Sequence, residues 1–187
     1  RRVLFRSEGE VLQLMNVNDP DITEESYMRV IYSKTARLFE AASQCSGILA
    51  GANEAEEKAL QDYGRYLGTA FQLIDDLLDY SADGERLGKN VGDDLNEGKP
   101  TLPLLHAMHH GTPEQAQMIR TAIEQGNGRH LLEPVLEAMN ACGSLEWTRQ
   151  RAEEEADKAI AALQVLPDTP WREALVGLAH IAVQRDR

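Results

Sequence analysis

The sequence predicts an all-α protein, and three observations support that fold class. Ala, Leu, Glu, Gln and Arg dominate a chain in which aromatic residues are only 5%, a balance that favours helices. Apolar side chains recur at spacings of three and four, most clearly at Leu60, Tyr63, Leu67, Ala70, Phe71, Ile74 and Leu78, which is the period of a helix with one buried face. No segment alternates apolar and polar residues as a half-buried strand would, and there is no internal repeat or low-complexity tract. At 187 residues the chain fits one domain or part of a larger one.

From the start of the chain, residues 1–7 lack helical periodicity and read as a non-native leader foreign to the remaining sequence. A helix over Glu8 to Asn16 ends at the breaker Asn18-Asp19-Pro20-Asp21. Thr23 is the N-cap of a long helix with Glu24 and Glu25 in its first turn, where negative charge suits the helix dipole. Tyr27, Ile31, Leu38 and Ala42 form its expected core face, and Gly47 or Gly51 marks its end. The strongest helix runs from about Glu54 to Tyr80. From Ser81 to Pro100 glycines and charges replace the periodicity, which reads as an ordered loop. Helices resume at 102–110, 113–125, 130–140, 145–166 and 171–184, separated by Gly or Pro signals.

Charge and cysteine usage exclude several roles. Nineteen Lys and Arg against 31 Asp and Glu give a net charge of -12, which repels nucleic-acid backbones and anionic lipid surfaces. A phosphorylated small molecule remains compatible if cations are concentrated in one cleft. Cys45 and Cys142 are far apart and in no ligand spacing, so neither a disulfide framework nor a zinc site is indicated, and a reducing cytoplasm is the expected home. No apolar run approaches the roughly 20 residues of a membrane span.

The chemistry concentrates in Phe71-Gln72-Leu73-Ile74-Asp75-Asp76-Leu77-Leu78-Asp79-Tyr80. Asp75 and Asp79 are four apart, Asp76 and Asp79 three apart, and Gln72 precedes the pair by three and four, so all project from one side of the helix. Like charges so spaced repel unless a cation neutralises them. Magnesium suits this, since it takes one or two carboxylates and leaves its other positions to water and phosphate oxygens. An aspartate cluster is otherwise a solvated acidic face, but the flanks here are apolar and imply a helix buried nearly all round. Lys89 and Lys99 follow on the glycine-rich loop, where they can share the negative charge of a diphosphate.

Together with Gly88-Lys89-Asn90-Val91-Gly92-Asp93-Asp94 and Glu97-Gly98-Lys99-Pro100-Thr101, this segment resembles the second aspartate-rich region of trans-isoprenyl (polyprenyl) diphosphate synthases. Tyr32-Ser33-Lys34-Thr35-Ala36-Arg37-Leu38-Phe39 resembles the family's lysine-threonine segment, and Gly9-Glu10 with Gln13 resembles the helix before it. The likeness runs from Glu8 to Arg187 and is closest to the bacterial members that make octaprenyl chains. It implies the later helices of an isoprenoid-synthase bundle, with 8–187 the C-terminal part of a single all-α domain. It implies Mg2+ held by Asp75, Asp76 and Asp79, and an allylic substrate contacted by Lys34, Thr35 and Gln72. Lys89 and Lys99 would contact the diphosphate or orient the aspartates; Asp75, Asp76, Asp79, Lys34 and Lys89 are the catalytic set. The implied reaction condenses isopentenyl diphosphate with an allylic diphosphate such as farnesyl diphosphate, for quinone side chains, in a homodimer.

One departure from that family is clear: nothing from Glu8 to Arg187 supplies its earlier aspartate-rich motif with two following arginines. The expectation is therefore a fragment that is inactive alone. The rival readings are a terpene cyclase or short-chain synthase, and a regulatory subunit without turnover; the intact aspartates oppose the last. Asp79 to Asn90 is not a calcium loop, because Asn90 stands where a bidentate Glu is needed and Arg86 lies inside it. His106, His109 and His110 read as a solvated helix face, and Leu12, Leu14, Met15 and Tyr27 as either dimer surface or core.

Overall fold

The computed structural model describes residues 2–81 and 91–185, with side chains from Glu8 onward. Helix α1, Arg2–Asn16, starts six residues before the expected Glu8, since neither Gly nor Pro stands in residues 2–7 to stop it. Helix α2, Glu24–Ile31, is capped as its sequence predicts: Thr23 Oγ1 accepts from Ser26 N at 3.1 Å. The long helix expected from there to Gly51 is broken by a π-helical turn, Tyr32–Ala36, before α3, Arg37–Ala50. Helix α4, Glu54–Leu78, opens on a capping box in which Asn53 and Glu56 satisfy each other's backbone N–H groups.

A short helix α5, Asp93–Asn96, lies inside the expected loop. It is followed by α6, Leu102–His110, and α7, Pro113–Gln125, both matching expectation. Then come a 3-10 turn, Gly128–Leu131, with α8, Leu132–Ala141; α9, Ser144–Ala162, with a 3-10 end, Leu163–Val165; and α10, Pro170–Val183. Among the described residues there is no strand, and no helix is long and apolar enough to cross a membrane.

Helix α4 is the spine and makes the two largest packing interfaces, with α9 and α3. Its apolar residues serve two cores. Ala70, Leu73, Ile74 and Leu78 join Tyr27 and Ile31 of α2, Leu102 and Leu105 of α6 and Ala152 and Ala156 of α9. Tyr63 and Leu67 join Ala159, Leu163, Ala179 and Ala182. A third core, built on Leu95, Leu104, Ile119, Ile123, Val135 and Met139, supports the loop that follows α4. Each large aliphatic chain so buried contributes roughly 1.5–3 kcal/mol.

The π-turn changes which residues face inward. It holds one residue more than an α-turn would, so the inward face of α3 advances by one position, about 100°. Leu38 and Ala42, expected in the core, are exposed, and Phe39 packs inward instead. Tyr27 is only 4% exposed, so it belongs to the core and not to an outer face, whereas Leu14 and Met15 are exposed. His109 and His110 face solvent as expected, but His106 is half-buried, stacked on Trp147 at 4.3 Å and on His110 at 4.0 Å.

Glycines set how closely the π-turn is held. A Cβ on Gly68 would lie 2.6 Å from Ala36 Cα, one on Gly64 2.5 Å from Phe39 O, and one on Gly9 of α1 2.4 Å from Lys34 N. These are backbone contacts that no side-chain motion relieves. Replacing Gly68 by Ala is expected to cost about 1–3 kcal/mol through overpacking. Gly177→Ala, in open space on α10, should instead gain up to about 1 kcal/mol from helix propensity. Urea unfolding of both variants checks the pair; a Gly68→Ala protein as stable as the parent would contradict the close approach.

Candidate active site

The expected polar residues come from three elements. Lys34 and Thr35 sit on the π-turn, Gln72, Asp75 and Asp76 on the last turns of α4 with Asp79 as its C-cap, and Lys99 on the segment after α5. Lys89 lies outside the described residues. Lys34, Gln72, Asp76 and Lys99 line one cavity of about 30 Å³, together with Gln13, Tyr27 and Thr101. That volume is about one water molecule.

Thr35 joins this group through a chain of hydrogen bonds. Its hydroxyl donates to Gln72 Oε1 at 2.7 Å, and Gln72 Nε2 donates to Asp76 Oδ1 at 2.8 Å. The other Asp76 oxygen, Oδ2, accepts from the Tyr27 hydroxyl at 2.6 Å. Lys34 Nζ donates to Gln13 Oε1 at 2.8 Å and has no carboxylate partner among the described residues. Its charge is therefore held by a neutral amide and remains available to an anion.

Asp79 looks the other way, toward the loop. Asp94 N donates to its Oδ2 at 3.0 Å, and Gly92 N donates to its backbone carbonyl at 2.7 Å. Asp94 in turn holds Lys99 Nζ at 3.0 Å, with Glu97 at 2.7 Å. Burial alone would lower the Lys99 pKa, but the Glu97 and Asp94 carboxylates outweigh it and hold the ammonium above its ordinary value. The loop is tied to the turn after α1 by Asn18 N, which donates to Gly98 O at 2.8 Å. Gly98 is required there: its φ is +67° and a Cβ would strike Asn18 Oδ1.

Three participants carried no decisive mark in the sequence. Tyr27 looked like an ordinary core residue, and its partner is 49 positions away. Asp94 could be suspected only from its place between Gly92 and Lys99. Arg185, just beyond α10, lays its guanidinium 3.9 Å over the Phe71 ring and donates to Phe71 O at 2.9 Å; burial lowers its pKa, against an opposing effect of Asp75.

The donor set suits a hard cation only in part. Asp75 and Asp79 carry carboxylate oxygens one turn apart, but among the described residues no three carboxylate, imidazole or thiol groups close on one point. Magnesium asks for no more than one or two protein carboxylates when phosphate oxygens supply the rest, so the residues fit a metal that arrives with its phosphate.

Asp76 shows how the acidic face behaves without one. Burial first, and Asp94 second, push its carboxyl up to about 7, against the lowering effect of the bonds from Tyr27 and Gln72. An acid whose folded pKa lies above its unfolded value favours the fold while protonated. Its contribution is complete below about pH 4 and is lost as pH rises toward 7. In metal-free protein, Asp76→Asn is therefore expected to gain melting temperature relative to the parent between pH 4 and 7. Parallel melting curves across that window would show the carboxyl to be unperturbed.

The Polyprenyl synthetase family profile matches residues 3–139. The chain is 94% identical over 181 residues to the octaprenyl diphosphate synthase of Escherichia coli (strain K12), covering 97% of this chain and 56% of that protein. A polyprenyl synthase from Caulobacter crescentus CB15, solved in complex with calcium and isoprenyl diphosphate, superposes with a TM-score of 0.93 at 44% identity, over 100% of this chain and 57% of that one. A decaprenyl diphosphate synthase from Rhodobacter capsulatus gives 0.91 at 42% identity, with coverage of 100% and 57%. The chain thus spans about half the length of the curated relatives it matches. With its helical order, its paired aspartates and a profile match over most of its length, this chain belongs to the polyprenyl synthetase family.

Proposed function

We propose that this chain forms part of a trans-prenyltransferase that condenses isopentenyl diphosphate with an allylic diphosphate such as farnesyl diphosphate. The product would be a long all-trans polyprenyl diphosphate of octaprenyl length, used for quinone side chains. The observation that carries this reading is the convergence of Lys34, Gln72, Asp76 and Lys99 on one cavity, and the 94% identity to an octaprenyl diphosphate synthase supports the chain length. A cytoplasmic homodimer is the form proposed.

The reaction breaks the allylic C–O bond, and diphosphate departs with the electron pair. The double bond of isopentenyl diphosphate attacks the allylic cation to form the new C–C bond, and loss of a proton restores an allylic diphosphate. Lys34 and Lys99 place positive charge where the departing diphosphate gathers its negative charge. Thr35 and Gln72 orient the allylic substrate. Apolar packing from Tyr27, Ile31, Leu73 and Ile74 keeps water from the cation. Magnesium held at Asp75, Asp76 and Asp79 would supply Lewis-acid charge to the diphosphate. Lys89 is proposed as a further diphosphate contact.

The test is magnesium-dependent incorporation of labelled isopentenyl diphosphate into extractable product by the chain extended to the full length of its relatives. Long-chain product is expected, with a loss of about 100-fold or more in Asp75→Ala and none from the 187-residue chain alone. A full-length protein inert with every allylic primer would overturn the assignment.

A further inference from the structure

The geometry points to Tyr27 as a positioning residue for the allylic-diphosphate site: its buried hydroxyl fixes the Asp76 carboxylate, which orients the Gln72 amide and, through it, the Thr35 hydroxyl. This rests on the prenyltransferase reading and deepens it.

The three bonds form a directional series. Tyr27 donates to Asp76 Oδ2 at 2.6 Å, Gln72 Nε2 donates to Asp76 Oδ1 at 2.8 Å, and Thr35 donates to Gln72 Oε1 at 2.7 Å. A side-chain amide can be turned end for end, and what decides its orientation is the character of its neighbours. Both Asp76 oxygens act as acceptors here, Oδ2 from Tyr27 and Oδ1 from the Gln72 amide N–H2, which leaves Gln72 Oε1 to face Thr35. The Thr35 proton is then committed to Gln72. Were the carboxylate to rotate, this ordering would be lost at both substrate-facing residues.

Tyr27 is well placed to prevent that rotation. Its ring is 4% exposed and packs with Ile31, Leu73 and Ile74, so the hydroxyl has no freedom to swing away. Helix α2, which carries it, is anchored by the Thr23 cap. Asp76 is 6% exposed, and water contributes little to holding its orientation. The bond crosses from α2 to α4 and so ties the elements on either side of the cavity. Removing the hydroxyl need not unfold the protein, because the adjoining cavity of about 30 Å³ can admit one water near the vacated position.

The experiment uses full-length protein and compares Tyr27→Phe, Asp76→Asn, the double variant and Tyr63→Phe. Tyr63 is an equally buried tyrosine whose hydroxyl donates to Leu175 O at 2.8 Å, away from the cavity. Initial rates are measured against each substrate in turn, beside thermal melting. Tyr27→Phe is expected to lower kcat about tenfold and raise KM for the allylic diphosphate about threefold. KM for isopentenyl diphosphate should be unchanged and the melting temperature should stay within a few degrees. Asp76→Asn presents an amide N–H2 to Gln72 and turns it over, so adding Tyr27→Phe to it should cost little more. Tyr63→Phe should retain parental kinetics.

Parental kinetics in Tyr27→Phe, independent multiplication of the two single effects, or a loss that raises both KM values and tracks unfolding would each overturn the positioning role. An active parent enzyme with any of these outcomes sinks this inference alone. An inert parent sinks the prenyltransferase reading with it.

Discussion

Backbone contact between α4 and the π-turn sets the distance at which Thr35 and Lys34 meet the polar groups of α4. The Thr35 to Gln72 bond and the Lys34 and Gln72 walls of the cavity exist only because Gly64 and Gly68 carry no side chain toward Ala36 and Phe39. Gly9 does the same from α1, and the Lys34 to Gln13 bond depends on that approach. A methyl group at any of these positions would meet backbone within 3.0 Å and push the elements apart. The glycines cost helix propensity, and the cleft geometry is what that cost maintains.

Much of this was legible in the sequence, and the reasons are physical. Helix α4 announced itself through an unbroken three- and four-residue period, and its buried aspartates stood out because charge seldom survives among apolar neighbours without a role. Glycines and charges marked the following segment as a loop, although the short helix Asp93–Asn96 inside it left no periodic signal. The π-turn was not legible: Tyr32-Ser33-Lys34-Thr35-Ala36 contains nothing that forbids an ordinary α-turn, and the extra residue is imposed by tertiary packing. The error at Leu38 and Ala42 stems directly from it. The partnership of Tyr27 with Asp76 was hidden for another reason, since period and propensity are local and this bond spans 49 positions.

Under the proposed function, this strongly acidic chain would accommodate an anionic substrate by partition. Lys34 is paired with an amide, while Lys99 is held by Asp94 and Glu97 at the rim. Asp76, at the centre, is bonded from two sides by Tyr27 and Gln72. Negative charge elsewhere on the surface lies across solvent and is screened over about 10 Å, so the few cations of the cleft dominate at contact range. Net charge therefore describes solubility here and says little about the ligand.

The π-turn also makes the number of residues a matter of selection at this one point. Deleting a residue between Tyr32 and Ala36 would let the helix close with ordinary pitch and the same inward face, but would dismantle the turn that places Lys34 and Thr35. Closing the turn as α with all five residues kept would rotate every side chain from Arg37 to Ala50 by about 100°. Phe39 would leave the core and Leu38 would enter where Phe39 meets Phe71. At Gly51 and Gly143 a side chain would meet nothing within 4 Å, and related chains can vary in length there at little cost. Insertions and deletions among such relatives should collect at those turns and be purged from the five residues that carry Lys34 and Thr35.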